Sequence, residues 1–221
     1  PPPADHFVLN LASLNEDVFQ KSYQHIKTSI DLSKRLGATK FAFHAGFFID
    51  VQPKQIGKKI SRTVLFDKEK SLQRFVSAYD ELQEYAKDIE LYIENNVYSS
   101  TNFHTFKGEN IFMLTNYEDY IDLKERIDFN LLLDVAHLKV SSNSLGLDFK
   151  HQLSSLIALT DYLHISDNDS YHDENNPISL DSDFLNYLSN LGSKKMSFTL
   201  EVYDSIEKIL ESQDILKSTL N

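Results

Sequence analysis

Apolar positions along the 221-residue chain fall into two alternating rhythms: short, nearly unbroken runs, then longer stretches with apolar residues every three or four positions. The first run, Phe7-Val8-Leu9-Asn10-Leu11-Ala12, predicts a strand. Behind it Phe19, Tyr23, Ile26 and Ile30 line one face of a helix that Ser13 or Asn15 can cap and Gly37 ends. Lys40 to Ala45 (KFAFHA) reads as a second strand. A polar stretch follows, and Leu72, Phe75, Val76, Tyr79 and Leu82 then return to helical spacing. Further strands are expected at Glu90 to Asn96, Phe129 to His137, Tyr162 to Asp167 and Met196 to Tyr203, six in all. Helices are expected near Tyr117 to Arg126, Phe149 to Leu159, Ser182 to Leu191 and Ile206 to Leu216.

An unbroken run such as Leu131-Leu132-Leu133 has no polar face, which is the mark of a parallel strand covered on both sides. The pattern therefore predicts one α/β domain over residues 1–221. A closed barrel and an open doubly wound sheet share this alternation. The chain carries no GxGxxG or GxxxxGK[ST] loop that would argue for a nucleotide-binding sheet.

Composition narrows the chemistry. With no cysteine, disulfides and thiolate metal sites are excluded, and His, Asp and Glu are the strong metal ligands left. The formal charge of -11 and the lack of an obvious Arg/Lys-rich loop disfavour nucleic acid and anionic membranes as partners. A small molecule is the expected partner. No apolar run approaches the roughly 20 residues of a membrane helix, and Pro1-Pro2-Pro3 does not open like a signal peptide, so a cytoplasmic location is expected. The chain begins without methionine directly before an apolar run, and the natural protein is expected to start earlier.

Five of the six expected strands place ionisable residues at or near their C-terminal ends: His44, Glu94, Asp134 with His137, His164 with Asp167, and Glu201. Singly, each has an ordinary explanation: a buried Glu pairs with a base, a lone His is a hydrogen-bonded core residue, and Asp134 with His137 forms a helix cap and turn. Together they would meet on one face. Several carboxylates against an apolar interior repel one another unless a cation joins them, and two or more carboxylates with one imidazole suit Mn²⁺, Mg²⁺, Co²⁺, Fe²⁺ or Zn²⁺. His25 and His151 fall on helices away from the strand ends and read as surface residues; His104 lies in a loop. Asp167, Asp169, Asp173 and Glu174 form an acidic run after one of these strands.

The segments NLAS (10–13), FHAG (43–46), IEN (93–95), LDVAH (133–137), HISDND (164–169) and LEVY (200–203) resemble, in order and spacing, the xylose isomerase-like barrels that include endonuclease IV. The resemblance implies a (β/α)8 TIM barrel whose first two βα units are missing from this chain, supplied upstream or by a partner. A homo-oligomer is among the expectations. It also implies a single divalent metal ion held by Glu94, Asp134, His164 and Glu201. The endonuclease branch adds further histidines and a loop Asp-x-His. His44 and Asp173 match that pattern, but Asn175 stands where the second loop ligand would be, Ala4 where another histidine would be, and Ser179-Leu180-Asp181 where a Gly-Glu-Gly would be.

The leading functional expectation is isomerisation or epimerisation of a sugar, sugar phosphate or related hydroxy-carbonyl compound. Glu94 and Glu201 would exchange the proton, and His44, His137, Lys139, Asp167 and Asp173 would line the substrate site. The alternatives are an endonuclease IV-like phosphodiesterase and a non-catalytic barrel.

Overall fold

The computed structural model describes residues 6–191 and 195–220. Pro1 to Pro3 and Ala4, weighed above, lie outside the described residues. Five strands, β1 (Lys40–His44), β2 (Glu90–Glu94), β3 (Asn130–Asp134), β4 (Tyr162–Ile165) and β5 (Ser197–Leu200), form one all-parallel sheet in sequential order. The helices are α1 (Glu16–Arg35), α2 (Lys68–Ala86), α3 (Ser100–Thr105), α4 (Tyr117–Arg126), α5 (Val135–Leu145), α6 (Phe149–Ile157), α7 (Leu185–Ser189) and α8 (Ile206–Leu220). Asn15 caps α1, its side chain accepting from the Asp17 N–H, and Asp67, Asn116 and Asp148 do the same for α2, α4 and α6.

Strand parity sorts the two faces of the sheet. Phe43, Leu91, Ile93, Leu131, Leu133, Leu163 and Ile165 join the main core with Ile26, Ile30, Phe75, Tyr79 and Leu82 of α1 and α2. The opposite face begins at the strand starts with a polar belt, where the Lys40 ammonium donates to the Tyr92 hydroxyl (2.7 Å) and that hydroxyl donates to Asp161 (2.8 Å). The pairings His44 with Glu94, Glu94 with Leu132, Asp134 with His164 and His164 with Thr199 keep every acidic or imidazole strand end on this second face. A slip of one residue in any strand would turn that side chain into the helix layer.

The expected strand at Phe7 to Ala12 does not form. Residues 6–10 pair with no strand, although Leu11 and Ala12 are buried. One side chain stands in for a ladder: the Asn10 amide donates to the Phe47 and Ile49 carbonyls, and its oxygen accepts from the Phe47 and Ala12 N–H groups. The expected helix at Ser182 to Leu191 contracts to α7. The expected strand to His137 ends at Asp134, where α5 begins without a loop.

Just past the end of β1, Gly46 lies too close to the side chains of Ala12 and Met113 for a side chain of its own. A Cβ on Gly46 would lie 2.4 Å from the Ala12 Cβ and 2.8 Å from the Met113 sulfur. Gly46→Ala is expected to destabilise the fold by about 1–3 kcal/mol, the ordinary cost of overpacking, read as a lowered urea midpoint. An unchanged midpoint would show that the segment before α1 is loosely held.

Candidate metal centre and active site

Glu94 ends β2, Asp134 ends β3, His164 lies in β4, and Glu201 directly follows β5. The register brings one ligand atom from each to within 4.8 Å of the others. The His164 Nδ1 lies 3.1 Å from Glu94 Oε1, 3.1 Å from Glu201 Oε2 and 4.0 Å from Asp134 Oδ2. Glu94 is 7% exposed and Asp134 fully buried, so three carboxylates share one imidazole in a poorly solvated corner.

The electrostatics follow. Burial lifts the Asp134 carboxyl to about 6 against the pull of His137. Burial pushes Glu94 upward too, but the imidazoles of His44, His164 and His137 hold it at about 2. Burial pulls His164 down, yet its hydrogen bonds to Glu201 and Glu94 raise it to about 10. An imidazole that needs two carboxylates, and carboxylates that need an imidazolium, mark a cluster with more negative charge than its own groups neutralise.

Asp134 supplies the sharper observation. Its Oδ1 accepts from the His137 N–H at 2.7 Å and caps α5, while its Oδ2 is buried with no hydrogen-bond partner. A buried orphan carboxylate oxygen facing two more carboxylates fits a divalent cation. Asn95 fixes this geometry, accepting from the Asp134 N–H (2.7 Å) and donating to its carbonyl (3.0 Å). The IEN segment therefore supplies both a carboxylate of the cluster and the clamp on the neighbouring one.

The other expected site residues divide into two groups. His44, half exposed, places its Nε2 3.8 Å from Glu94 Oε2. His137, in the first turn of α5, donates from Nδ1 to the Asn95 carbonyl (2.9 Å), which turns Nε2 toward Asp173 Oδ2 at 3.5 Å. His44, Glu94 and His137 form a second set of ligand atoms beside the first. Lys139 and Asp167 are instead joined to each other at 2.8 Å, with Asp183 and Ser182 completing the network.

The sequence reading named several further residues without the roles that the structure gives them. Tyr203 donates its hydroxyl to Glu201 Oε1 (3.2 Å) and its N–H to the Asn175 carbonyl (3.0 Å). Asn175 is buried at φ +50° and accepts from the Ser166 hydroxyl, so it holds the loop under Tyr203. His104 lies on α3 with its Nδ1 against the Ser100 carbonyl, and exposed His172 is paired with Asp169. A cavity of about 590 Å³ opens beside the cluster, with His44, His137 and Asp173 on its wall. Over it runs a segment, residues 51–66, that holds Lys54, Lys58, Lys59 and Arg62 and no acidic residue. This corrects the expectation that the chain has no basic loop. These cations are interspersed with apolar and polar residues, so no run of like charge announces them.

Among the described residues no helix is long and apolar enough to cross a membrane. The family described as xylose isomerase-like TIM barrel matches residues 2–219. A D-tagatose 3-epimerase-like protein superposes with a TM-score of 0.72 at 20% identity, covering 99% of this chain and 74% of that one. A Thermus thermophilus protein soaked with zinc chloride gives 0.66 at 20%, covering 97% and 75%. Endonuclease IV from the same organism gives 0.61 at 14%, covering 96% and 72%. No curated protein matches the sequence significantly. At such identities the superpositions speak for the fold alone. The family match, together with a five-stranded parallel sheet equivalent to part of a barrel, places this chain in the xylose isomerase-like TIM barrel family.

Proposed function

We propose that the protein is a divalent-metal-dependent isomerase or epimerase of a sugar, sugar phosphate or related hydroxy-carbonyl compound. The observation that carries this reading is the buried, unpartnered Asp134 Oδ2 among the carboxylates of Glu94 and Glu201 and the imidazole of His164. Those four residues would hold a single Mn, Mg, Co, Fe or Zn ion. Such an ion, when bound, supplies Lewis-acid stabilisation of the negative charge that develops on substrate oxygens during proton removal.

The chain's own groups supply the rest. Glu94 and Glu201, on non-adjacent strands, approach His164 from two sides, so one can take the proton next to the carbonyl and the other can return it. His44, His137 and Asp173, on the wall of the adjoining cavity, would bind substrate hydroxyls; Lys139 and Asp167 would shape the rim through their mutual ion pair. Epimerases among the solved structures of similar fold support a carbohydrate substrate. The expectation that the first two βα units lie outside this chain stays part of this proposal and accords with the 74% of the D-tagatose 3-epimerase-like protein that the chain spans; with no strand at Phe7 to Ala12, five of the eight strands are described.

The deciding measurement is metal content after purification without chelator. One ion per chain is expected, with activity lost to a chelator and restored by the metal. No bound metal would point to a non-catalytic barrel. Three ions would favour the phosphodiesterase reading, which draws support from the second ligand set of His44, Glu94 and His137 and from the unpartnered Asp173 Oδ1.

A further inference from the structure

The basic segment 51–66 is anomalous in a chain of net charge -11: four cations and no Asp or Glu over sixteen residues. It is also built rather than draped. Ile60 is 4% exposed, in a satellite core with Phe47, Tyr98 and Phe112 that is separate from the main one. Buried Asn102 grips the backbone on both sides of Lys59: its oxygen accepts from the Ile60 N–H (2.9 Å) and its amide donates to the Lys58 carbonyl (3.2 Å). Gly57, at φ +66°, makes the turn that leads into this grip.

Lys58 and Lys59 line the cavity whose other end carries His44, His137 and Asp173. They are the only Lys or Arg among its described lining residues, and neither is in an ion pair among the described residues. Lys139, in contrast, is held between Asp167 and Asp183. The three carboxylates of the cluster are not on the cavity wall but adjoin it through His44, which lies 3.8 Å from Glu94; they repel a doubly charged anion from that side, while the two lysines give the wall uncommitted positive charge. A volume of about 590 Å³ lies within the usual range for small-ligand pockets and has room for a phosphorylated monosaccharide lying between the two ends.

We propose that Lys58 and Lys59 recognise a phosphate monoester on the substrate, orienting a ketose phosphate with its carbonyl end toward Glu94 and Glu201. This rests on the isomerase reading of the same site and narrows its substrate to the phosphorylated class. The lysines act as specificity determinants and touch no reacting atom.

The test is binding to the metal-loaded protein, measured by titration calorimetry with D-ribulose 5-phosphate and D-ribulose as paired probes. The wild type is expected to hold the phosphate roughly tenfold or more tightly than the neutral sugar, as two charge-assisted contacts would give. Lys58→Gln with Lys59→Gln should erase that preference, leave D-ribulose affinity unchanged and keep the thermal midpoint, because both side chains are exposed. Lys21→Gln with Lys150→Gln, exposed positions on α1 and α6, makes the same change in net charge and should keep the preference. Equal binding of the two probes by the wild type overturns the proposal. So does a preference that survives the first double variant or disappears in the second. Tighter, lysine-dependent binding of a duplex containing an abasic site would assign the loop to nucleic acid instead. Binding of D-ribulose 5-phosphate through these lysines with no proton exchange would sink the isomerase reading and leave the anion site standing. Exchange on both probes without discrimination would do the reverse.

Discussion

Glu201→Gln is expected to keep the fold and reduce proton exchange next to the substrate carbonyl by about 10²- to 10⁴-fold, the usual contribution of a positioned acid or base. The side chain lies past the end of β5, and its backbone N–H, which donates to the Ile165 carbonyl, is untouched by the change. Glutamine keeps an oxygen for the Tyr203 hydroxyl or the His164 Nδ1, so local packing survives. It cannot carry a proton between solvent and carbon, and it removes one of three negative charges from the cluster. Exchange in deuterated water, followed by NMR on a ketose or its phosphate, reads the effect, and a thermal melt checks the fold. Undiminished exchange in a folded Glu201→Gln protein would remove the proposed acid–base pair.

The second large effect is at Asp134, and it has opposite signs in two measurements. Asparagine is as good a helix cap as aspartate, so Asp134→Asn can still accept from the His137 N–H and start α5. What it loses is the charge at Oδ2, and metal affinity should fall about 100-fold or more, as changes at metal sites commonly cost. The metal-free protein should instead be stabilised, by about 1 kcal/mol. The sign follows from burial, which raises the carboxyl to about 6: the ionised form is disfavoured in the folded state, and the penalty builds as pH climbs from the unfolded value near 4 through 6. At pH 7 the amide escapes it. Metal titration and chelator-treated melts on the same preparation check both halves. If Asp134→Asn binds metal as well as the wild type, the orphan oxygen is not a ligand.

Much of this was legible in the pattern of apolar positions because α1, α2, α4, α6 and α8 each bury one stripe and five strands carry apolar runs. The four proposed ligands were legible because polar residues at the ends of such runs stand out. Helix α5 was not. It follows β3 with no intervening loop, Asp134 being both last strand residue and cap, and Val135, Ala136, His137, Leu138, Val140, Ser141, Ser142 and Ser144 are all buried. A helix buried over most of its circumference, with only Asn143 exposed, has no stripe to read. The error at Phe7 to Ala12 has a different origin, since burial makes a run apolar whether or not it pairs, and the side chain of Asn10 satisfies backbone groups that a ladder would otherwise serve. The clamping roles of Asn95 and Asn102 carry no signal in one sequence, although Asn95 belongs to the IEN segment, because an amide looks the same on a surface and in a core.

Among the described residues the sheet has β1 at one margin and β5 at the other, each with a neighbour on a single side. Among the described residues no further strand pairs along either border, so both are places where an extended polypeptide can add to the ladder. The strands that complete the proposed barrel would therefore meet two waiting ladders, and closing it would hide both borders at once.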